Sequence, residues 1–359
     1  RSDGSAQEFH CSATLTPEQQ AAHKALLGHD LGLLVAPPGA GKTVCGLDVA
    51  FTPGLGAAFL TGNPSLVHVL REALVRDAVA RGDCAREEAI RRTKAALQNI
   101  HRFLEDCAVD PLQTPPERLI VFDEAQRAWD QAKATMGTLD RPARLSKSEP
   151  AHVLEIMSRR SGWSVVVALI GNGQEINTGE AGLREWGAVL AQENSLWSAV
   201  AAPRVLNASD PVQRLADAPC PSWLQIDEAL DLTVPMRSVR ESTGVSWVAA
   251  VLAGETAEAQ RIAAASAALP YWLTRDLAAL KQGLRGYARG ERRAGIVRSS
   301  GARRLRAEGF GAEITAKEVP DWFLNRWPDV RASDALEAAA TEYACQGLEL
   351  DVAGLAWGG

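Results

Sequence analysis

Two short stretches of this 359-residue chain hold residue types at a spacing suited to phosphate chemistry. The first is Ala36-Pro-Pro-Gly-Ala-Gly-Lys42-Thr43. A Gly-rich turn that opens a helix aims its backbone N–H groups at phosphate oxygens, which assigns that cradle to Pro38, Gly39, Ala40 and Gly41. Lys42 then reaches the β- and γ-phosphates, and the Thr43 hydroxyl ligates Mg²⁺. Ala36 stands where such loops usually carry their first glycine. The second stretch is Leu119-Ile-Val-Phe-Asp123-Glu124-Ala125-Gln126. Four apolar residues carry two carboxylates to the tip of a strand, where Asp123 would hold Mg²⁺ and Glu124 would orient and deprotonate an attacking water. Alone, an apolar strand ending in acids is commonplace. On one sheet with a phosphate loop it reads as a nucleotide-hydrolysing site, with ATP and Mg²⁺ as its ligands. A small-molecule kinase or an AAA-type switch would carry the same two stretches.

These residues need a sheet to hold them. Leu31–Ala36 is a short apolar run leading straight into the Gly/Pro loop. Ala57–Thr61, Leu119–Phe122 and Val165–Ile170 are further apolar runs bounded by turn residues, and they read as buried parallel strands. Leu66–Ala80 has helical periodicity. Alternating helix and strand signals predict an α/β layer structure with a largely parallel sheet. Residues 81–117 are charged and helical in character and end at Pro115-Pro116, which predicts a small helical insertion in the first sheet domain. The expected organisation is a tail over 1–11, a first lobe over 12–230 and a second over 231–359. In the second lobe, helices are expected around Val245–Ala265 and Thr274–Tyr287, a strand at Gly295–Arg298, and a strand-rich end at Ala340–Trp357.

Composition sets the outer limits. A 46% hydrophobic and 23% charged chain is globular rather than disordered or fibrous. The net charge of -6 gives no whole-protein attraction for nucleic acid, so any such site must be a local basic strip. The six cysteines are scattered with no C-x-x-C pair, which predicts no zinc site and fits reduced thiols in a cytoplasmic protein. No apolar run approaches the ~20 residues that span a membrane, and the polar N-terminus lacks a signal peptide. It also lacks a starting Met, from which further domains of the same protein are expected beyond the termini.

The remaining segments resemble superfamily 1 helicases in order and spacing. Leu15-Thr-Pro-Glu-Gln19-Gln-Ala-Ala22 is similar to their Q motif, and the resemblance implies that Gln19 reads the adenine edge. Asp-Glu-Ala-Gln is their motif II. Leu169-Ile-Gly-Asn172-Gly-Gln174-Glu175 resembles motif III, which implies that Gln174 senses the γ-phosphate; an Asp usually stands at Asn172. Leu232-Thr-Val-Pro-Met-Arg237-Ser238 resembles motif IV, whose arginine acts as a finger on the γ-phosphate. Thr341 through Asp351 resembles motif V, placing Glu349 near the ribose. The likeness is closer to the Schlafen group-3-like DNA/RNA helicase domain, carried by Leu169–Asn177 with Gly179-Glu180, by Arg298-Ser-Ser-Gly-Ala-Arg303-Arg304, and by Tyr343–Gly359. It implies a P-loop NTPase of two RecA-like parallel-sheet lobes with ATP between them. Nothing resembling motif VI follows motif V, so the second lobe is expected to be incomplete at its C-terminus.

The same likeness assigns nucleic-acid contacts. Thr61-Gly-Asn63-Pro64 resembles motif Ia, which holds the backbone of a single strand; Asn99-Ile-His101-Arg102-Phe103 stands as a candidate motif Ib equivalent, against the simpler reading of His101 as a packed or solvated helix residue. Lys281–Arg306 holds eight arginines against one acid, a strip suited to phosphates, from which Arg303 is taken as a contact. For most of the others a solvated face is the simpler reading. Bases of a single strand stack on aromatic faces, but tryptophan at helical or strand spacing is usually core, so none of the ten tryptophans, Trp186 near the motif III segment included, is named as a stacking residue. The expected partner is single-stranded or partly duplex nucleic acid, DNA before RNA. The rival reading is an ATP-dependent nucleic-acid-binding switch or sensor that does not unwind.

Overall fold

The computed structural model describes residues 17, 19–21, 31–36, 41–52, 54–141, 144–171, 179–192, 195–208, 210–233, 242–266, 271–311 and 313–357. The chain divides into two compact units, Arg1–Val234 and Pro235–Gly359. Both are α/β, and the described strands all pair in parallel, with one isolated antiparallel bridge between Trp129 and Glu180.

Unit 1 runs β1 (Leu31–Ala36), α1 (Lys42–Ala50), β2 (Ala57–Thr61), α2 (Pro64–Arg81), α3 (Arg86–Ala96), β3 (Leu97–Asn99), α4 (Ile100–Val109) and β4 (Leu119–Asp123). It continues through α5 (Gln131–Gly137), α6 (Glu149–Ser158), β5 (Val165–Gly171), α7 (Gly182–Leu190), β6 (Ala199–Ala201), α8 (Arg204–Asn207) and β7 (Leu224–Ile226). The seven strands lie in the order β3-β2-β4-β5-β1-β6-β7. Every side chain of β4 and nearly every one of β5 is buried, as continuous apolar runs covered by helices on both faces require. Because β5 separates β1 from β4, the ends of three neighbouring strands converge on one edge of the sheet. That convergence places the site.

The 81–117 segment departs from the expected helical insertion. It holds α3 and α4, but between them the chain returns to the sheet as β3, pairing Leu97–Asn99 with Phe59–Thr61. The strand is anchored from α2, where Arg71 Nε donates to the Leu97 carbonyl at 2.9 Å, and Leu97 and Ile100 are buried in the core. The segment is therefore the edge of the sheet rather than an addition to it.

Unit 2 contains α9 (Ser242–Leu252), α10 (Thr256–Ala265), α11 (Leu277–Tyr287), β8 (Ala294–Arg298), α12 (Val319–Leu324), β9 (Ala339–Thr341), α13 (Glu342–Cys345) and β10 (Val352–Ala356). Its three strands lie in the order β10-β8-β9, and Leu277, Leu280 and Leu284 of α11 pack on them with Ile296. The helix expected over Val245–Ala265 is two helices, since the chain turns at Gly254 with φ +74. Among the described residues no helix is long and apolar enough to cross a membrane, no cluster of three or more His, Cys, Asp or Glu could hold a metal ion, and five cysteines are free thiols.

Candidate functional site

The first helix opens at Gly41, which has φ +90 and ψ +20, a left-handed conformation that favours glycine. The space beside it is also taken. A Cβ at Gly41 would come 2.0 Å from Nε2 of Gln19, whose side chain is buried against this turn. Cys45 Sγ, one turn into α1, points at the Gln19 carbonyl at 3.8 Å. Gln19 thus lies beside the phosphate-loop turn. Lys42 is the first residue of α1 and is nearly buried. Pro38, Gly39 and Ala40 lie outside the described residues, as do Gln174 and Arg237.

Strand β4 delivers Asp123 to the same edge, 2% exposed. Burial, and then the neighbouring Glu124 charge, push its carboxyl up to about 7, against the opposing pull of Lys42 and a hydrogen bond from Thr43. Its Oδ1 is buried with no hydrogen-bond partner. A buried orphan carboxylate oxygen beside a threonine hydroxyl is a hard-oxygen pair, and the pair fits Mg²⁺.

Glu124 sits at φ +54 and ψ +42, a left-handed backbone that a non-glycine residue adopts at a cost of order 1–3 kcal/mol. The turn aims its carboxylate back across the strand ends. Oε1 lies 2.6 Å from Lys42 Nζ. Oε2 accepts from Gln126 Nε2 at 2.6 Å, while Gln126 Oε1 accepts from the Gly171 N–H at 3.0 Å. Gly171 ends β5 between the other two strands. A Cβ there would stand 2.7 Å from Lys42 Nζ and 2.9 Å from both Glu124 Oε2 and Gln126 Nε2. One cluster therefore joins the phosphate-loop lysine, the acidic pair and the end of β5.

The segment after Glu124 is tied down. Trp186 Nε1 donates to the Ala125 carbonyl at 3.0 Å, and Arg127 holds Glu180 through both Nε and Nη2 at 3.1 Å. Trp186 is fully buried, edge-on to Phe122. It is a core residue, the reading preferred for tryptophan at helical spacing, and it fixes the acidic loop.

The candidate nucleic-acid residues fall on three places. Thr61 ends β2 almost wholly buried, with Oγ1 accepting the Asn63 N–H at 3.3 Å, so it shapes the turn rather than presenting itself to a polymer. Asn63 caps α2 through Oδ1 to the Leu66 N–H, and Gly62 beside it is exposed. His101 begins the neighbouring α4, and a Cβ on Gly62 would lie 3.7 Å from its Nε2. In unit 2, Arg303 is exposed in the 3₁₀ turn Arg303–Arg306, and Glu349 is exposed on the loop before β10. The arginine strip is divided: Arg298 is buried and Arg293 stacks on Phe323, while Arg285, Arg289 and Arg292 face solvent.

Two members of the cluster carried no expected role, Gln126 and Gly171. Gln126 stands inside the Asp-Glu-Ala-Gln string, so its position was visible. The signal for Gly171 was the apolar run that stops at a glycine.

A family model for the Schlafen group 3, DNA/RNA helicase domain matches residues 35–359. No curated protein matches the chain. Among solved structures, the chain is similar to the crystal structure of the Pyrococcus furiosus Hef helicase domain, at 16% identity and a TM-score of 0.31. That alignment covers 50% of this chain and 37% of the Hef chain.

Proposed function

The chain belongs to the Schlafen group 3 DNA/RNA helicase domain family, and from that premise we propose that it is an ATP-hydrolysing helicase or single-strand translocase core. The observation that carries the reading is the cluster at the strand ends, in which Lys42 Nζ is 2.6 Å from Glu124, Glu124 is 2.6 Å from Gln126 and Gln126 is 3.0 Å from the Gly171 N–H, beside Asp123 and Thr43. Lys42 holds phosphate oxygens on a helix N-terminus. Thr43 and Asp123 are the residues that would hold Mg²⁺, which when bound neutralises phosphate charge. Glu124 accepts the proton of the attacking water, and Gln126 keeps its carboxylate aimed by holding the far oxygen. Gln19 reads the base beside the Gly41 turn, and Gln174, Arg237 and Glu349 are proposed as further nucleotide contacts on the family resemblance alone. Gly62–Asn63, His101 and Arg303 take the backbone of a single-stranded or partly duplex nucleic acid.

The test is ATP hydrolysis by this chain with and without single-stranded DNA and RNA, at low and moderate salt. Stimulation by one polymer supports the motor reading and names the polymer. Lys42→Ala is expected to weaken triphosphate binding, and normal turnover in that variant would overturn the assignment. Hydrolysis indifferent to both polymers would favour the nucleotide-driven switch.

A further inference from the structure

Glu149 is the first residue of α6 and is only 1% exposed. A glutamate in the first turn of a helix ordinarily faces water and complements the helix dipole. Here both oxygens are used inside the protein. Oε1 lies 2.6 Å from His101 Nδ1, and Oε2 accepts the Trp129 N–H at 2.8 Å. The Glu149 N–H donates back to the Trp129 carbonyl at 3.0 Å. The His101 ring is stacked on Trp129, with centroids 3.9 Å apart and planes at 26°. Three elements meet in this closed unit: α4, α6 and the chain following the acidic loop. Burying a carboxylate costs several kcal/mol unless its partners repay it, and an apolar side chain would fill the volume more cheaply. What the carboxylate adds is direction, since charge-assisted hydrogen bonds are short and fix their partners.

The two ends of the unit reach different sites. Trp129 follows Glu124 by five positions, on a segment held by the Ala181 N–H to the Ala128 carbonyl at 2.7 Å. His101 turns Nε2 toward Gly62, on the exposed turn at the end of β2. A displacement of the acidic loop therefore reaches the imidazole through two hydrogen bonds to one buried group.

We propose that Glu149 is a positioning residue that fixes His101 for contact with a single strand and ties that contact to the acidic loop carrying Glu124. Glu149 touches neither nucleotide nor polymer; it acts through His101. This rests on the reading of the chain as a nucleic-acid-stimulated ATPase.

The experiment uses the full chain, with Glu149→Gln, His101→Phe and the two combined. An amide that keeps the Trp129 N–H on its oxygen can meet His101 Nδ1 only by donating, which removes the carboxylate charge from that hydrogen bond and reverses its direction, forcing the other imidazole tautomer. Phenylalanine keeps the stack on Trp129 without either nitrogen. Two quantities are read: the oligo(dT) concentration giving half-maximal ATPase stimulation, and the anisotropy-derived affinity for labelled oligo(dT) with and without a non-hydrolysable ATP analogue. Glu149→Gln is expected to raise the half-stimulating concentration at least about tenfold, the effect of losing one charge-assisted hydrogen bond. The maximal stimulated rate should stay within about twofold, and the analogue should no longer change oligo(dT) affinity. The combined variant should be no worse than His101→Phe alone. A merely structural loss would lower the maximal rate and leave the half-stimulating concentration where it was. An unchanged half-stimulating concentration in Glu149→Gln, or losses that add in the combined variant, overturns the proposal while the ATPase reading stands. If Glu149→Gln fails to fold, an unchanged half-stimulating concentration in His101→Phe overturns it equally. A wild-type chain that neither binds oligo(dT) nor is stimulated by it removes the functional reading, and this proposal with it.

Discussion

Lys42 Nζ and Glu124 Oε1 are 2.6 Å apart, so the lysine proposed to hold phosphate and the carboxylate proposed to activate water are each other's partner. A phosphate oxygen reaching Lys42 competes with Glu124 for the same ammonium, and the same displacement frees the carboxylate to take a proton. On the proposed function, Glu124 would be a competitor in binding as well as the base in turnover. Glu124→Gln should bind ATP at least as tightly as the wild type while its turnover falls by about 10²–10⁴-fold. Titration of a fluorescent ATP analogue beside a phosphate-release assay reads both. Normal turnover in this variant would exclude Glu124 as the base.

Gly171 tests the cluster from the β5 side. The methyl group of Gly171→Ala would press on the tips of Lys42, Glu124 and Gln126 together, at 2.7–2.9 Å. Each tip can swing aside alone, so folding should survive. The three cannot all keep their partners. ATP turnover is expected to fall at least about tenfold, with a thermal midpoint shifted by no more than ~2–4 °C, the equivalent of roughly 1 kcal/mol in a unit of this size. A variant with wild-type turnover would show that Gly171 does not constrain the site.

Much of unit 1 was readable because strands such as β4 and β5 are buried on both faces and so read as continuous apolar runs. The apolar runs Leu31–Ala36 and Ala57–Thr61 become β1 and β2 with those bounds, and β4 and β5 each extend one residue beyond the expected end. Strand β3 was not readable. Three residues between two charged helices carry no periodicity, and their place depends on Arg71 reaching across from α2. In the site, Lys42, Asp123 and Glu124 were legible from local spacing, since a turn and a strand tip bring each to the sheet edge. Glu149 was hidden for the opposite reason. Ser-Glu-Pro at a helix start reads as a solvated N-terminus, and only the approach of His101 and Trp129 from distant elements buries it.

Among the described glycines, Gly187 is the position where the packing leaves least room. A Cβ on it would stand 1.7 Å from the Leu215 carbonyl oxygen, a backbone atom that no rotamer change can move. Gly187→Ala must shift α7 away from the 205–215 segment, and α7 carries the Trp186 that fixes the acidic loop. The expected cost is about 1–3 kcal/mol or more. Gly283→Ala is the control: it lies on α11 with nothing within 4 Å, and should stabilise by about 0.5–1 kcal/mol. Thermal melts of both variants check the pair, and equal midpoints would contradict the geometry.

His152, on α6, gives the protein a pH dependence with a defined sign. Burial holds its pKa below the ordinary 6.5, against the pull of the Glu155 charge, and its Nε2 accepts the Lys147 N–H at 3.1 Å. The folded state therefore keeps the ring neutral with its proton on Nδ1, while the unfolded chain takes up a second proton as pH falls through 6.5. The stability contributed is fully present above that value and is lost progressively below it. Gln at this position offers an acceptor oxygen to the Lys147 N–H and does not titrate. Between pH 7.5 and pH 5.5 the wild-type melting midpoint should fall further than that of His152→Gln; parallel falls would mean that another group is responsible. Lys147 leads directly into Ser148 and Glu149, so protonating His152 releases the turn that starts α6. Oligonucleotide stimulation of the ATPase, if it depends on Glu149, should therefore weaken over the same interval, and His152→Gln should retain it.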